Sequence, residues 1–278
     1  MREIKLKSFF LVIPTRDRAE HVKNLLGDLI PFGDYISNCV IVDQSICCLS
    51  SDFCQENYPF PISIVEGLRD QGVNHSRNLA LKLYNDEDWL FFLDDDLRVL
   101  EQEINKIPKV LSESSVNVLV LGINEERTNN NEKRYTDLLE TISKPNKPSN
   151  TRMRLQVSSG LSIVEKEYFY KAGFYFDEKY TFWGDDWDFG FRLLAAGAII
   201  LHYPDINFRH LEIKHGGQRR YSNQKNNKLT KKYLQLYFYK KHFSDSAVKE
   251  KFYYEIFRSI KHLRLLEALN LLKYYNRL

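Results

Sequence analysis

Trp89-Leu-Phe-Phe-Leu93-Asp94-Asp95-Asp96 runs five apolar residues straight into three carboxylates. An uninterrupted apolar run of this length marks a strand buried on both faces, because a strand with one wet face alternates. Outward from it the pattern recurs. Phe9-Phe-Leu-Val-Ile13 stops at Pro14, Cys39-Val-Ile-Val42 ends at Asp43, Ile62-Ser-Ile-Val65 makes a third strand, and Val116 to Leu121 a fifth. Between them lie helical stretches. One has apolar positions at Val22, Leu25, Leu26 and Leu29 behind Asp17, which is placed to cap it, and another runs from Asn74 to Leu83. Strands alternating with helices predict an α/β fold with a mostly parallel sheet flanked by helices. Ligands of such sheets bind beyond the carboxyl ends of the strands. Polar residues stand at those ends here: Thr15 and Arg16, Asp43, and the three aspartates.

The 278 residues, 43% hydrophobic and 28% charged, suffice for one large core with an appendage. The net charge of +3 is unevenly spread. From Arg209 to Leu278 there are 17 Lys and Arg against 5 Asp and Glu, which leaves 23 against 32 in residues 1–208. The acidic part should attract cations, and the basic part phosphates, anionic lipid or nucleic acid; a solvated basic surface is the plainer reading. Cys39, Cys47, Cys48 and Cys54 lack zinc-site spacing and read as reduced thiols of a cytosolic protein. No stretch approaches the ~20 apolar residues of a membrane-spanning helix.

Three adjacent carboxylates repel one another, and a bound Mg²⁺ or Mn²⁺ relieves the repulsion. A solvated acidic turn is the alternative. A second acidic cluster, Trp183-Gly-Asp-Asp-Trp-Asp188, opens a helix expected over Phe189 to Gly197. Charge at a helix N-terminus accounts for those side chains by itself. The functional reading makes one of them a general base for an acceptor hydroxyl, with Asp188 assigned a structural part. His210 follows a predicted strand, and Gly216-Gly-Gln-Arg-Arg220 is suited to fold over a diphosphate.

In chain order, several segments resemble those of family 2 nucleotide-sugar glycosyltransferases, and more closely the β-1,4-galactosyltransferase-like branch. They are Ile13-Pro-Thr-Arg-Asp-Arg-Ala-Glu-His21, Val42-Asp-Gln-Ser45, Gly72-Val-Asn-His-Ser-Arg-Asn78 and the triplet after Leu93. Ser158-Ser-Gly-Leu-Ser162, Gly184-Asp-Asp-Trp-Asp188 and Arg209-His210 complete the series. The resemblance implies a glycosyltransferase-A fold and a hexosyltransferase acting on a nucleotide diphosphate sugar, with UDP as the expected nucleotide. It implies donor contacts from Pro14, Thr15, Arg16, Arg18, Asp43, Arg77, Asp94, Asp95, Gly160 and Trp183. It further implies Mn²⁺ or Mg²⁺ on Asp96, His210 and Asp94, and Asp186 as base beside Asp185. Two departures stand out. Asp185 replaces the usual Glu, and Trp183-Gly184 stands where galactosyltransferases carry two glycines, so the acceptor pocket differs.

The expected organisation is a glycosyltransferase-A catalytic domain over 1–210 and, over 211–278, a lid loop and a basic helical tail. The lid would span His210 to Asn227. In the tail, Phe252, Ile256, Ile260 and Leu263 fall at helical spacing. That stripe either packs on the protein or attaches the enzyme peripherally to the inner face of a membrane, beside a lipid-linked acceptor; glycan and other hydroxyl acceptors also fit. The rival reading is an inactive sugar- or nucleic-acid-binding module on the same fold. No nucleic acid partner is expected, for want of interleaved stacking aromatics. A nucleotidyltransferase would carry a glycine loop where Pro14-Thr-Arg-Asp-Arg18 stands.

Overall fold

The computed structural model describes residues 3–46, 49, 57–69, 71–125, 157–181, 183–211, 213, 215–217, 224–262 and 264–276. Cys47, Cys48, Cys54, residues 126–150, Phe182, Arg219, Arg220 and Leu263 lie outside them.

The chain runs β1 (Phe9–Thr15), α1 (Ala19–Leu29), a 3₁₀ turn, β2 (Ile36–Asp43), β3 (Ile62–Glu66), α2 (Val73–Leu81), β4 (Trp89–Leu93) and β5 (Leu97–Val99). It continues through α3 (Glu101–Ile104), α4 (Ile107–Glu113), β6 (Val118–Glu125), β7 (Leu161–Glu165), α5 (Lys166–Lys171), α6 (Asp185–Ala195) and β8 (Ile200–His210). Three helices close the chain: α7 (Gln224–His242), α8 (Asp245–Lys261) and α9 (Leu265–Tyr275).

The strands form one eight-stranded sheet in the order β3-β2-β1-β4-β7-β6-β8-β5. β1 is wholly buried, and its side chains alternate between two layers. Phe9, Leu11 and Ile13 pack with Val22, Leu25, Leu26 and Leu29 of α1. Phe10 and Val12 join Ala80 of α2 and Phe189 of α6 on the other face. A strand with both faces covered needs apolar residues at every position, which is why these runs do not alternate.

The β3-β2-β1-β4 part is parallel, as expected. β7 inserts antiparallel between β4 and β6, and β5 pairs antiparallel with β8. Asp17 does not cap α1, which has no side-chain cap. It holds a left-handed backbone at φ 56° and grips Arg69 instead, at 2.8 Å. α6 begins at Asp185, not at Phe189, so the aspartates lie inside its first turn, where the helix dipole favours negative charge.

Candidate functional site

Two acidic clusters meet across the carboxyl end of β4. The pairing of Leu93 with Leu161 carries Gly160 beside Asp94, and the Asp94 N–H donates to the Gly160 carbonyl at 2.7 Å. A Cβ built on Gly160 would lie 2.0 Å from Asp94 Oδ2, so only glycine leaves room for that carboxylate. Asp94 and Asp185 are bridged by one guanidinium: Arg77 Nη2 lies 3.3 Å from Asp94 Oδ1, and Nη1 lies 3.1 Å from Asp185 Oδ2. Arg77 is almost fully buried on α2 and is held from below by Asn74 Oδ1 at 2.9 Å. Asn74 in turn donates to the carbonyls of Asp177 and Tyr180, tying α2 to the loop before α6.

Asp95 is buried, accepts a bond from Thr15 Oγ1 at 2.7 Å, and pairs with Arg18 Nη1 at 2.7 Å. Burial outweighs the pull of Arg18, and with Asp96 adjacent it pushes the Asp95 carboxyl up to about 6. Arg18 Nη1 also lies 2.9 Å from Asp96 Oδ2, while His210 Nε2 stands 3.4 Å from Asp96 Oδ1. His210 reaches this place as the last residue of β8, opposite Leu97, with the Leu211 N–H donating to Asp96 O at 2.7 Å. Above Arg18 the chain returns: its Nε donates to the His215 carbonyl at 3.1 Å, and the Gly217 N–H to Arg16 O at 3.0 Å. Gly216 and Gly217 both have positive φ, and a Cβ on Gly216 would fall 2.6 Å from Arg16 O. Asp17, Arg18, His21, Ser45, Ile46 and His215 line an adjoining cleft of about 300 Å³.

On the other side, Ser159 holds both aspartates of α6. Its N–H donates to Asp186 Oδ1 at 2.7 Å, and its hydroxyl lies 2.7 Å from Asp185 Oδ2 and from Asp186 Oδ1. Loss of water contact, with Asp185 next to it, raises the Asp186 carboxyl above the ordinary range. Asp188, one turn further in, is buried and paired with Arg192 at 2.9 Å and with Lys241 and His242 at 2.7 Å. Burial alone would raise it, but the bond from His242 and the charges of Arg192 and Lys241 hold it down at about 2. Trp183 packs on Trp187, with the Lys231 ammonium 4.7 Å from its ring centre.

The structure thus brings Thr15, Arg18, Asp94, Asp95, Asp96, His210, Gly160, Arg77, Asp185 and Asp186 into one linked network. Arg16 follows Thr15 into the same β1–α1 turn and is buried, and Pro14 is paired with Val42 in the sheet. Asp43 stands apart from the aspartates: Oδ1 accepts from the Ser45 N–H and hydroxyl, and Oδ2 from the Leu49 N–H at 2.6 Å. Ser159 and Asn74 were not singled out from the sequence, although each sits inside a motif that was; a serine or asparagine next to a functional residue carries no signal of its own. Among the described residues no group of three His, Cys, Asp or Glu converges as a metal site.

The sequence model of glycosyl transferase family 2 matches residues 10–166. A protein of Haemophilus influenzae described as an uncharacterized glycosyltransferase is 26% identical over 167 residues, 59% of this chain and 54% of its own. The chain therefore spans about half the length of that relative. Among solved structures, GalNAc-T7 with UDP, GalNAc and Mn²⁺ superposes with a TM-score of 0.60 at 16% identity, over 84% of this chain and 50% of that one. S. aureus TarS 1–349 in complex with UDP-GlcNAc gives 0.60 at 14% identity, over 88% and 69%. At such identities these likenesses speak to the fold, a mixed α/β sheet flanked by helices as in glycosyltransferase-A enzymes. The family match covers more than half of the chain, from β1 through the acidic strand end to β7, and on that ground the protein belongs to glycosyl transferase family 2.

Proposed function

We propose that the protein is an inverting, metal-dependent transferase that moves a hexose from a UDP-sugar to an acceptor hydroxyl in glycan or polysaccharide synthesis. The observation that carries the reading is the link through Arg77 between Asp94, on the donor side, and the Asp185–Asp186 pair. A carboxylate raised toward neutrality and oriented by Ser159 suits a general base. Asp186 takes the hydroxyl proton as the acceptor oxygen bonds to the anomeric carbon and the bond to the diphosphate oxygen breaks. Attack from the face opposite the leaving group inverts that carbon. Asp185, held by Arg77 and Ser159, positions the pair.

Asp96 and His210 fit a divalent ion in chemistry and spacing. Two ligands to one Mn²⁺ or Mg²⁺, each at about 2.1 Å, stand about 3 Å apart or slightly more, and Asp96 Oδ1 and His210 Nε2 are 3.4 Å apart. Asp94 is turned to Arg77 and does not converge with them, so the diphosphate would supply the further oxygens. Bound there, the ion would neutralise the departing diphosphate. GalNAc-T7 is a fold relative whose structure holds UDP and Mn²⁺, and TarS one that holds UDP-GlcNAc. The likeness to the β-1,4-galactosyltransferase-like branch rests on Pro14 to His21, and the assignment of uridine on Asp43 and Arg77. Release of nucleotide from a panel of nucleotide sugars, with and without Mn²⁺, tests the reading. Slow hydrolysis of UDP-sugars that needs the metal is expected, and no turnover of any donor would overturn it.

A further inference from the structure

The basic tail divides into an inner and an outer part. α7 is bound to the catalytic core: Leu234 and Phe238 pack with Tyr180, Trp187 and Phe191, and Lys241 bridges Asp177 and Asp188 at 2.7 Å each. α8 and α9 lie on α7 through Leu236, Phe252 and Leu271, around a buried ionic centre where Lys232 meets Glu255 at 3.0 Å and Glu267 at 2.5 Å. Phe252 and Ile256 of the stripe expected from the sequence therefore face inward.

The outer faces carry apolar residues that nothing among the described residues covers, and Ile260 of the expected stripe is one of them. On α8, Tyr253, Phe257 and Ile260 follow one another at helical spacing in solvent, and on α9 so do Leu265, Leu269 and Leu272. Phe257 is 69% exposed and Leu266 77%. Exposed large apolar groups repeated along two helices exceed the scattered ones of an ordinary surface. Around them the exposed charges are mainly cations: Lys249, Arg258, Lys261, Arg264 and Lys273, against Asp245 and Glu250. A second copy of the chain would set this cationic rim against itself in a two-fold contact, which like charges oppose. An anionic bilayer meets both demands, taking apolar side chains below the headgroups and cations at their level. Among the described residues no helix is long and apolar enough to cross a membrane, so such helices would lie in the surface.

We propose that the outer face of α8 and α9 docks on an anionic phospholipid bilayer. The surface is separate from the network at Asp94–Asp96 and Asp185–Asp186, so its test is independent of the chemistry. The full chain is sedimented with phosphatidylglycerol-containing and pure phosphatidylcholine vesicles at low and high salt. Pelleting with the anionic vesicles only, weakened by salt, is expected. The double variant Phe257→Glu, Leu266→Glu alters two of the most exposed side chains and should lower vesicle binding by at least about tenfold, with an unchanged melting temperature. Absence of pelleting with anionic vesicles at low salt overturns the proposal. So does vesicle binding that the double variant leaves intact. A dimer in sedimentation equilibrium that the same variant dissociates would assign the face to a second copy and overturn it as well.

Discussion

The acidic strand end at Asp94–Asp96 and the acidic helix start at Asp185–Asp188 have similar sequences and opposite surroundings. At the strand end every carboxylate faces a basic side chain. Arg18 spans Asp95 and Asp96, His210 stands off Asp96, and Asp94, with 45% of its side chain exposed, touches Arg77. At the helix start the first two aspartates are held by Ser159, while Asp188 is enclosed by Arg192, Lys241 and His242. Two residues along one helix separate a carboxyl raised by its surroundings from one depressed by them. A carboxylate's task is set by what other elements bring to it, more than by its place in a motif.

The sharpest way to break this contrast is to remove the charges singly. Asp186→Asn should lower turnover by on the order of 10²–10⁴ while leaving nucleotide affinity unchanged, as read by initial rates and calorimetric titration. If Asp185→Asn is inactive and Asp186→Asn turns over normally, the base is the other member of the pair.

Asp188→Asn should do the reverse. It removes the buried carboxylate that Arg192, Lys241 and His242 share, leaving Lys241 its pair with Asp177, and loss of about 3–5 kcal/mol in urea unfolding is expected. Asp186→Asn should cost little stability, because its carboxylate is already disfavoured in the fold.

The same two groups separate by pH. A raised Asp186 is protonated first as pH falls, so kcat should drop on an acid limb lying above the ordinary carboxylate value. Asp188, depressed to about 2, stabilises the fold fully above its ordinary value of 3.8. That contribution, about 2 kcal/mol, disappears as pH falls toward 2. Activity should therefore fail at a higher pH than the fold, which rate and circular-dichroism profiles would check; coincident losses would remove the distinction.

At the strand end, Asp96→Asn should weaken the Mn²⁺-dependent part of UDP binding by about tenfold or more, a tenfold loss being about 1.4 kcal/mol. Equal affinity with and without Mn²⁺ in both proteins would end the metal assignment. The smallest effect is expected at Asp43. Both of its oxygens already accept bonds from their own loop, so discrimination of UDP over CDP should exceed a few-fold only if a further lone pair meets the base. Tighter binding of CDP or GDP would exclude uridine.

The sequence alone determined the sheet and one edge of the site. Continuous apolar runs ending in polar residues have one economical solution, a strand buried on both faces with its end at solvent, so Thr15, Asp43 and Asp94–Asp96 were found from pattern. The spacing of Val22, Leu25, Leu26 and Leu29 likewise marks the buried face of α1. Local periodicity is written in neighbouring residues and can be read there. Tertiary structure alone decided what joins distant segments. Antiparallel β7 brought Gly160 under Asp94, β8 brought His210 to Asp96, and α7 brought Lys241 and His242 to Asp188. It also turned Phe252 inward and Phe257 outward on a helix whose sequence is apolar on more than one side. Which apolar face is buried depends on the shape of the partner surface, and which carboxylate stays charged depends on cations brought from distant elements, as Lys241 of α7 is brought to Asp188, so neither could be read from the local sequence.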